Sequence, residues 1–300
     1  MSPMWFDPNG TGKLSMPGLR HGLFAAASAA VTAPTSLEAV PGILRDFDFT
    51  VSTKMLPSPI GSARITSVAD TAGSANALAP DAGQGPIFVT ASSFGAVMSA
   101  IRSVNGDTTP GGNANAGAYA RLFGNIPELV GKQDFAMFVT DTVQGDRNDG
   151  GRILSFASGG NGDFQAGGFF IWVPAANRAS FQLATGAASY ILGPSSPLTH
   201  DVPMLLAAIC TAGQLQLWLN GVAVGSAIPM SVVGSAPAIG ISCQVNTTSN
   251  LIFGDYAGLT VVNGSPTVTN RQYVEGKMAW RATGDGSLLP TGHPYKTATP

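Results

Sequence analysis

The chain has 300 residues, 44% of them hydrophobic and only 11% charged, with 15 Lys and Arg against 17 Asp and Glu for a formal net charge of −2. A charged share far below the roughly 25% of an average soluble protein protects a solitary molecule poorly from self-association, so the composition points to an assembled, interface-rich protein. With no basic block, nucleic acid and anionic membrane are excluded as partners, and no apolar run reaches the roughly 20 residues of a membrane helix.

Residues 1–60 read as an N-terminal arm. Met1–Arg20 mixes Pro, Gly and single apolar residues without period. Arg20–Pro34 (RHGLFAAASAAVTAP) has the charged flank and small residues of a signal peptide but starts twenty residues in, so a chain made without a cleaved leader is expected. Phe24–Val31 suits a short helix before Pro34, and the alternation of Phe47, Phe49 and Val51 predicts a strand. The arm reads equally as an extension wrapped on its own domain or as a segment docking to a neighbouring subunit, in which case its strand would pair there.

Residues 61–300 read as one domain. Short β segments at Ala63–Ala69, Pro86–Val89, Val97–Val104 and Tyr119–Phe123 are followed, from Asp134 on, by a regular strand rhythm: FAMFVT, RILSF, GFFIWV and further runs separated by Gly, Asn, Asp or Pro turns. The clearest unit is Gln214–Ser226 (QLQLWLNGVAVGS), where Leu215, Leu217 and Leu219 alternate with polar or aromatic neighbours and Asn220-Gly221 supplies a type I′ turn. With Met204–Cys210 before it, this predicts a three-strand meander. Roughly eight to ten short strands at hairpin spacing predict an all-β sandwich or jelly roll; the lack of βα alternation disfavours α/β folds. Cys210 and Cys243 sit in predicted strands and read as buried thiols. The one convincing helix is Thr269–Arg281, capped by Thr269 or Asn270 and ended by Gly284 and Gly286.

The C-terminus reads VEGKMAWRATGDGSLLPTGHPYK. Together with Ile153-Leu154-Ser155, His200, the LWLNG strand and the later GDYAGLTVVNG strand, it resembles concanavalin A/LamG-like jelly-roll domains of bacteriophage structural proteins. The resemblance covers about residues 60–298; Lys277 and Ala282-Thr283-Gly284 depart from its usual pattern. It implies a LamG-like β-sandwich with an extended N-terminal arm and one short C-terminal helix. Independently of it, Trp280 is expected to cover one end of the sandwich, Tyr295 to pack where the chain returns, and Glu275 to meet Arg271 at i−4. Glu275, Trp280, His293 and Tyr295 thus form a structural latch.

Candidate chemistry is sparse. Asp141, Asp146, Asn148 and Asp149 offer oxygen ligands suited to Ca²⁺, and LamG-like domains hold calcium in rim loops; an ordinary Asp- and Asn-rich turn explains the same residues. Asp163 fits either account. Trp172, Trp218 and Phe170 are candidates for a glycan platform or a subunit contact, Trp218 because it lies on the opposite face from Leu217 and Leu219. His21, His200 and His293 fall in no catalytic motif. Asp46 and Asp48 share a face but do not make the paired-carboxylate strand of a glycosidase, so no enzyme activity and no cofactor are expected. The reading is a virion structural protein made in the host cytoplasm, most simply a capsid-surface decoration protein, homo-oligomeric and bound to the major capsid protein or tail subunits. The alternative is a tail-fibre or spike adhesin that binds a surface glycan.

Overall fold

The computed structural model describes residues 34–56, 65, 67–73, 77–79, 86–90, 92–95, 99–102, 122–143, 151–159, 163, 165–173, 182–185, 190–192, 202–245 and 252–300. The helix expected at Phe24–Val31 lies outside them, as do His21 and His200. The described residues belong to one unit, Ala33–Pro300. In chain order its strands are β1 (Ile43–Asp48), β2 (Met55–Leu56), β3 (Ser67–Ala69), β4 (Ala77–Leu78), β5 (Ile87–Val89), β6 (Ala100–Arg102), β7 (Leu122–Asn125), β8 (Phe135–Val143) and β9 (Gly151–Ala157). They continue as β10 (Phe169–Val173), β11 (Gln182–Thr185), β12 (Tyr190–Leu192), β13 (Met204–Thr211), β14 (Gln214–Leu219), β15 (Val222–Pro229), β16 (Ala238–Ile241) and β17 (Gly254–Asn263), and helix α1 (Val268–Thr283) follows.

Two antiparallel sheets face each other, as the strand pattern predicts. The larger has the order β15-β14-β13-β8-β17-β6-β5, with β1 also on β17; the smaller runs β12-β11-β10-β9-β16-β7, and β2-β3-β4 form a small third sheet. Alternation decides what lies between the sheets. Phe135, Met137 and Val139 of β8 meet Phe156 of β9 and Phe169 and Ile171 of β10 in the main core, where the rings of Phe135, Phe156 and Phe169 lie 5.5–6.0 Å apart. Each such side chain contributes about 1.5–3 kcal/mol on burial.

The central meander forms as predicted. Thr211 pairs with Gln214 across Ala212-Gly213, and Leu219 with Val222 across Asn220-Gly221. All four turn residues have positive φ, from 49° to 80°, the twist that matches two-residue hairpins. Asn220 also bonds Leu205 through its own N–H and through its side-chain oxygen, tying the turn to the next strand.

β8 is buried along all nine residues, which requires a cover on its outer face as well. Helix α1 is that cover. Tyr273, Val274, Met278 and Ala279 pack on Ala136 and Phe138 of β8, Leu205, Ala207 and Ile209 of β13, and Val262 of β17. Thr267, rather than Thr269 or Asn270, caps the helix, its side chain accepting from Asn270 N at 3.2 Å; Pro266 has just set the entering chain, and the helix begins at Val268, one residue earlier than expected. Gly284, at φ 75°, ends it as expected.

The predicted strand in the arm belongs to the sandwich. β1 pairs in-chain with β17, Phe47 opposite Leu259, and Phe47 and Phe49 are core residues. Arg45 adds a two-oxygen contact to Glu128 at 2.8 and 2.9 Å. Pairing of this strand with another subunit is therefore corrected: β1, read as part of the arm, is a strand of the larger sheet. Cys210 and Cys243 are both buried, as expected; burial, with Asp134 nearby, pushes the Cys210 thiol up to about 12.

The latch residues converge, with one change of role. Glu275 Oε2 meets His293 Nε2 at 3.2 Å, and His293 Nδ1 accepts from Tyr295 N at 3.2 Å, which leaves Nε2 as the donor to the carboxylate. Trp280 is half-buried and donates to Tyr295 O at 3.0 Å, so it fastens the tail instead of covering the end of the sandwich. The tail crosses α1 at Gly276, where a Cβ would sit 2.8 Å from Cβ of Tyr295. Gly276→Ala tests this crossing: helix propensity favours Ala by about 1 kcal/mol, and overpacking opposes it by about 1–3 kcal/mol. Urea unfolding is expected to show a net loss of stability; a gain would mean the tail does not press on the helix there.

Candidate functional site

Sequence alternation placed Trp218 on the outer face of β14, and it is there, half-exposed and partly covered. The Arg271 guanidinium carbon lies 3.7 Å above the Trp218 ring, and Trp218 packs with the cluster beneath α1. Arg271 is held in turn by Glu275, Nε to Oε1 at 3.6 Å. The Trp218 ring thus already carries Arg271 on the side of α1: periodicity shows which face a side chain takes, not what covers it.

Trp172 is different. On β10, Phe169, Ile171 and Val173 point into the core, so Phe170 and Trp172 take the outer face of the smaller sheet. Phe170 is only 2% exposed and cannot serve as a platform. It lies edge-on to Trp172 at 5.8 Å, and Arg152 of β9 lies 4.0 Å over its ring. Trp172 is half-exposed, with Arg152 on one side and Gln182 on the other in strand register. Its indole N–H is buried and has no hydrogen-bond partner among the described residues.

Arg152 is itself held by Asp163, Nε to Oδ2 at 2.5 Å, with both side chains buried. Burial pushes the Asp163 carboxyl above its ordinary value even against the Arg152 charge. Asp163 is thus bound to an arginine and is not a calcium ligand. The sequence reading missed this pair; the signal was a lone Arg in an otherwise apolar strand, which needs a partner once buried. The arrangement offers a ring face, a primary amide and an internally neutralised charge pair on one sheet surface. That set suits stacking and hydrogen bonding to a hydroxylated ligand.

Asp141 shares the inward parity of Phe135, Met137 and Val139, so its carboxyl enters the sandwich. It lies opposite Tyr256 on β17 and Met204 on β13 and is 0% exposed, and among the described residues neither oxygen makes a hydrogen bond of good geometry. Burial, then the nearby Asp255, pushes its pKa well above the usual carboxylate range. Asp146, Asn148 and Asp149 lie outside the described residues. Among the described residues no group of three or more His, Cys, Asp or Glu side chains is placed to hold a metal ion, and Asp141, facing inward, does not fit the expected rim site.

No protein-family model matches the chain, and no curated protein matches it. Solved structures do share its fold. Domain 4 of AbnA, an extracellular GH43 arabinanase from Geobacillus stearothermophilus, in complex with arabinotriose, is 13% identical over 81% of this chain and 99% of that one, with a TM-score of 0.50. The binding domain of Paraclostridial Mosquitocidal Protein 1 is 11% identical over 80% of this chain and 53% of that one, at a TM-score of 0.51. Trypanosoma rangeli sialidase in complex with sialic acid is 12% identical over 84% of this chain and 36% of that one, at a TM-score of 0.50. The chain spans about a third of the length of the sialidases it matches. At these identities the likeness is one of fold. It nevertheless corrects the expectation that the chain is not an enzyme: this sandwich occurs within a sialidase and as a domain of an arabinanase, so neither the fold nor the lack of a sequence motif sets the chain apart from enzymes.

The raised pKa of Asp141 has a signed consequence for stability. The folded state holds its proton more tightly than the unfolded state, so the contribution of Asp141 to stability is fully present below the ordinary carboxylate value and falls as pH rises toward the folded pKa. Each pH unit in that window is worth up to about 1.4 kcal/mol. Thermal unfolding from acid to alkaline pH is expected to show the parent chain losing stability relative to Asp141→Asn as pH rises. Identical profiles would show that Asp141 is not buried as a free acid.

Proposed function

We propose that the chain is a bacteriophage virion surface protein whose β-sandwich recognises a glycan through the outer face of the smaller sheet. The observation that carries this reading is Trp172, half-exposed between Gln182 and the buried Arg152–Asp163 pair. Sugar rings stack on such an indole face, while an amide and a bound ion pair meet their hydroxyls. The fold shared with an arabinanase domain solved with arabinotriose supports it, and the VEGKMAWR…LPTGHPYK tail supports the virion setting by its resemblance to phage structural proteins. Of the two roles the sequence left in competition, the adhesin is thereby favoured.

Capsid decoration is the second reading, favoured by β15. This edge strand of the larger sheet, VAVGSAIP, carries no charge and is exposed at six of its eight residues, with Val222 51% exposed. A lone soluble protein usually guards such an edge with Lys or other charges.

Glycan-array binding, with Trp172→Ala beside the parent chain, tests the first reading. The substitution is expected to weaken binding at least about tenfold, or roughly 1.4 kcal/mol; equal binding by both would end it. Cryo-EM of the intact particle separates the two readings, with density at the tail for recognition and on the capsid lattice for decoration. For decoration, removing residues 1–33 is expected to abolish incorporation while the sandwich stays folded. A cut at residue 50 would remove β1 and test nothing.

A further inference from the structure

We propose that the cleft between the Leu37–Ala39 turn, β1 and α1 is a second binding site, for a small polyhydroxylated ligand of about one sugar ring. It lies on the outer face of the larger sheet, across the sandwich from Trp172, and does not depend on the glycan reading of that face. The cleft has a volume of about 280 Å³, at or below the small end of ligand pockets.

Its floor is built in advance. Arg281 donates from Nη1 to Asp46 Oδ1 at 2.9 Å and from Nη2 to Asp46 Oδ2 at 2.8 Å. Its Nε faces Asp48 Oδ2 at 3.2 Å. Thr260 and Thr71 donate the remaining bonds to the two Asp46 oxygens, so that carboxylate is saturated. Gly258 gives Arg281 its path, since a Cβ there would lie 2.8 Å from Nη1.

The rim, unlike the floor, keeps capacity to spare. Among the described residues the Glu38 carboxylate has no hydrogen bond or ion pair, and Lys277 has no anionic partner, its Nζ lying 5.5 Å from the Tyr273 ring centroid. Ser36 Oγ accepts from Ala39 N at 3.3 Å, which leaves its O–H free to donate. Asp48 Oδ1 takes both bonds from Thr50, and its Oδ2 can accept another.

Free donors at Lys277 and Ser36 thus face free acceptors at Glu38 and Asp48 over a saturated base. A simple anion would meet unpaired carboxylates, and a bare cation would meet Lys277 and Arg281. Neighbouring hydroxyls, each donating one bond and accepting another, satisfy both sets at once. That is the chemistry of a vicinal diol.

The test is an NMR titration of the full chain with D-glucose and D-arabinose, with sodium acetate and calcium chloride as ionic probes. Sugar is expected to shift the amides of residues 35–38, 46–48 and 277–281, while Glu38→Gln and Lys277→Met each weaken the interaction about tenfold. Both side chains lie at the surface, so unchanged melting temperatures would verify that the variants fold. Lys54→Met, an exposed lysine elsewhere, is expected to bind as the parent chain does. Three outcomes would overturn the proposal: no shift at the cleft with either sugar, undiminished binding in the Glu38→Gln/Lys277→Met double variant, or shifts there with acetate or calcium but not with sugar. Sugar shifts confined to β10 and β11 would likewise overturn it while supporting the reading of Trp172.

Discussion

The structure depends on the covering of a sheet that is apolar on both faces. β8 is buried along its whole length, and its neighbours β13 and β17 nearly so. A strand with an apolar outer face exposes an aggregation-prone surface unless another element lies over it. The smaller sheet covers one face. The other falls to a single helix of sixteen residues, and much else in the C-terminal third serves to keep that helix down. The Arg281–Asp46 pair holds its last turn to β1, while the Glu275–His293 contact and the Trp280–Tyr295 bond draw the tail across its middle. The Arg271–Trp218 stack holds its start to β14.

These fastenings explain where the few charges of the chain have gone. Arg45, Arg152 and Arg281 are all largely buried and face Glu128, Asp163 and Asp46, respectively, and Asp255, 0% exposed, takes Arg102. Buried pairs of this kind add little net stability over apolar packing, because desolvation offsets most of the attraction; removing one partner is far more damaging. Their use here is positional. Asp46 shows the balance: burial pushes its pKa up, and the charge and hydrogen bonds of Arg281 outweigh that, so the carboxyl stays below its ordinary value. With so many charges turned inward, the outer surface is poorer in charge than composition alone suggests. Assembly and recognition both draw on such a surface.

Local patterns were legible where one residue's neighbours in sequence are also its physical constraint. Asn220-Gly221 named its turn because few residue pairs accept two positive φ angles. Gly284 marked the helix end for the same reason, and the apolar FAMFVT run marked a strand, though not that it would be buried on both faces. The latch residues Glu275, His293 and Tyr295 were legible as a group, although Trp280 took a different part in it. The helix cap was misplaced by two residues because Thr267, Thr269 and Asn270 are all good caps, and only the path of the chain after Pro266 chooses among them.

The sequence by itself determined the all-β sandwich, its central meander, the lone C-terminal helix and the face on which each alternating side chain lies, because periods of two and of about 3.6 are properties of the backbone. Only the tertiary structure decided what covers each face. It put α1 over Trp218, closed Phe170 under Arg152, sent Asp141 into the interior, and brought Asp46 and Arg281, 235 positions apart, into one pair beneath a cleft. Such meetings depend on the order and stacking of strands, which neighbouring residues do not encode. The sites of this chain are made where distant segments close on one another.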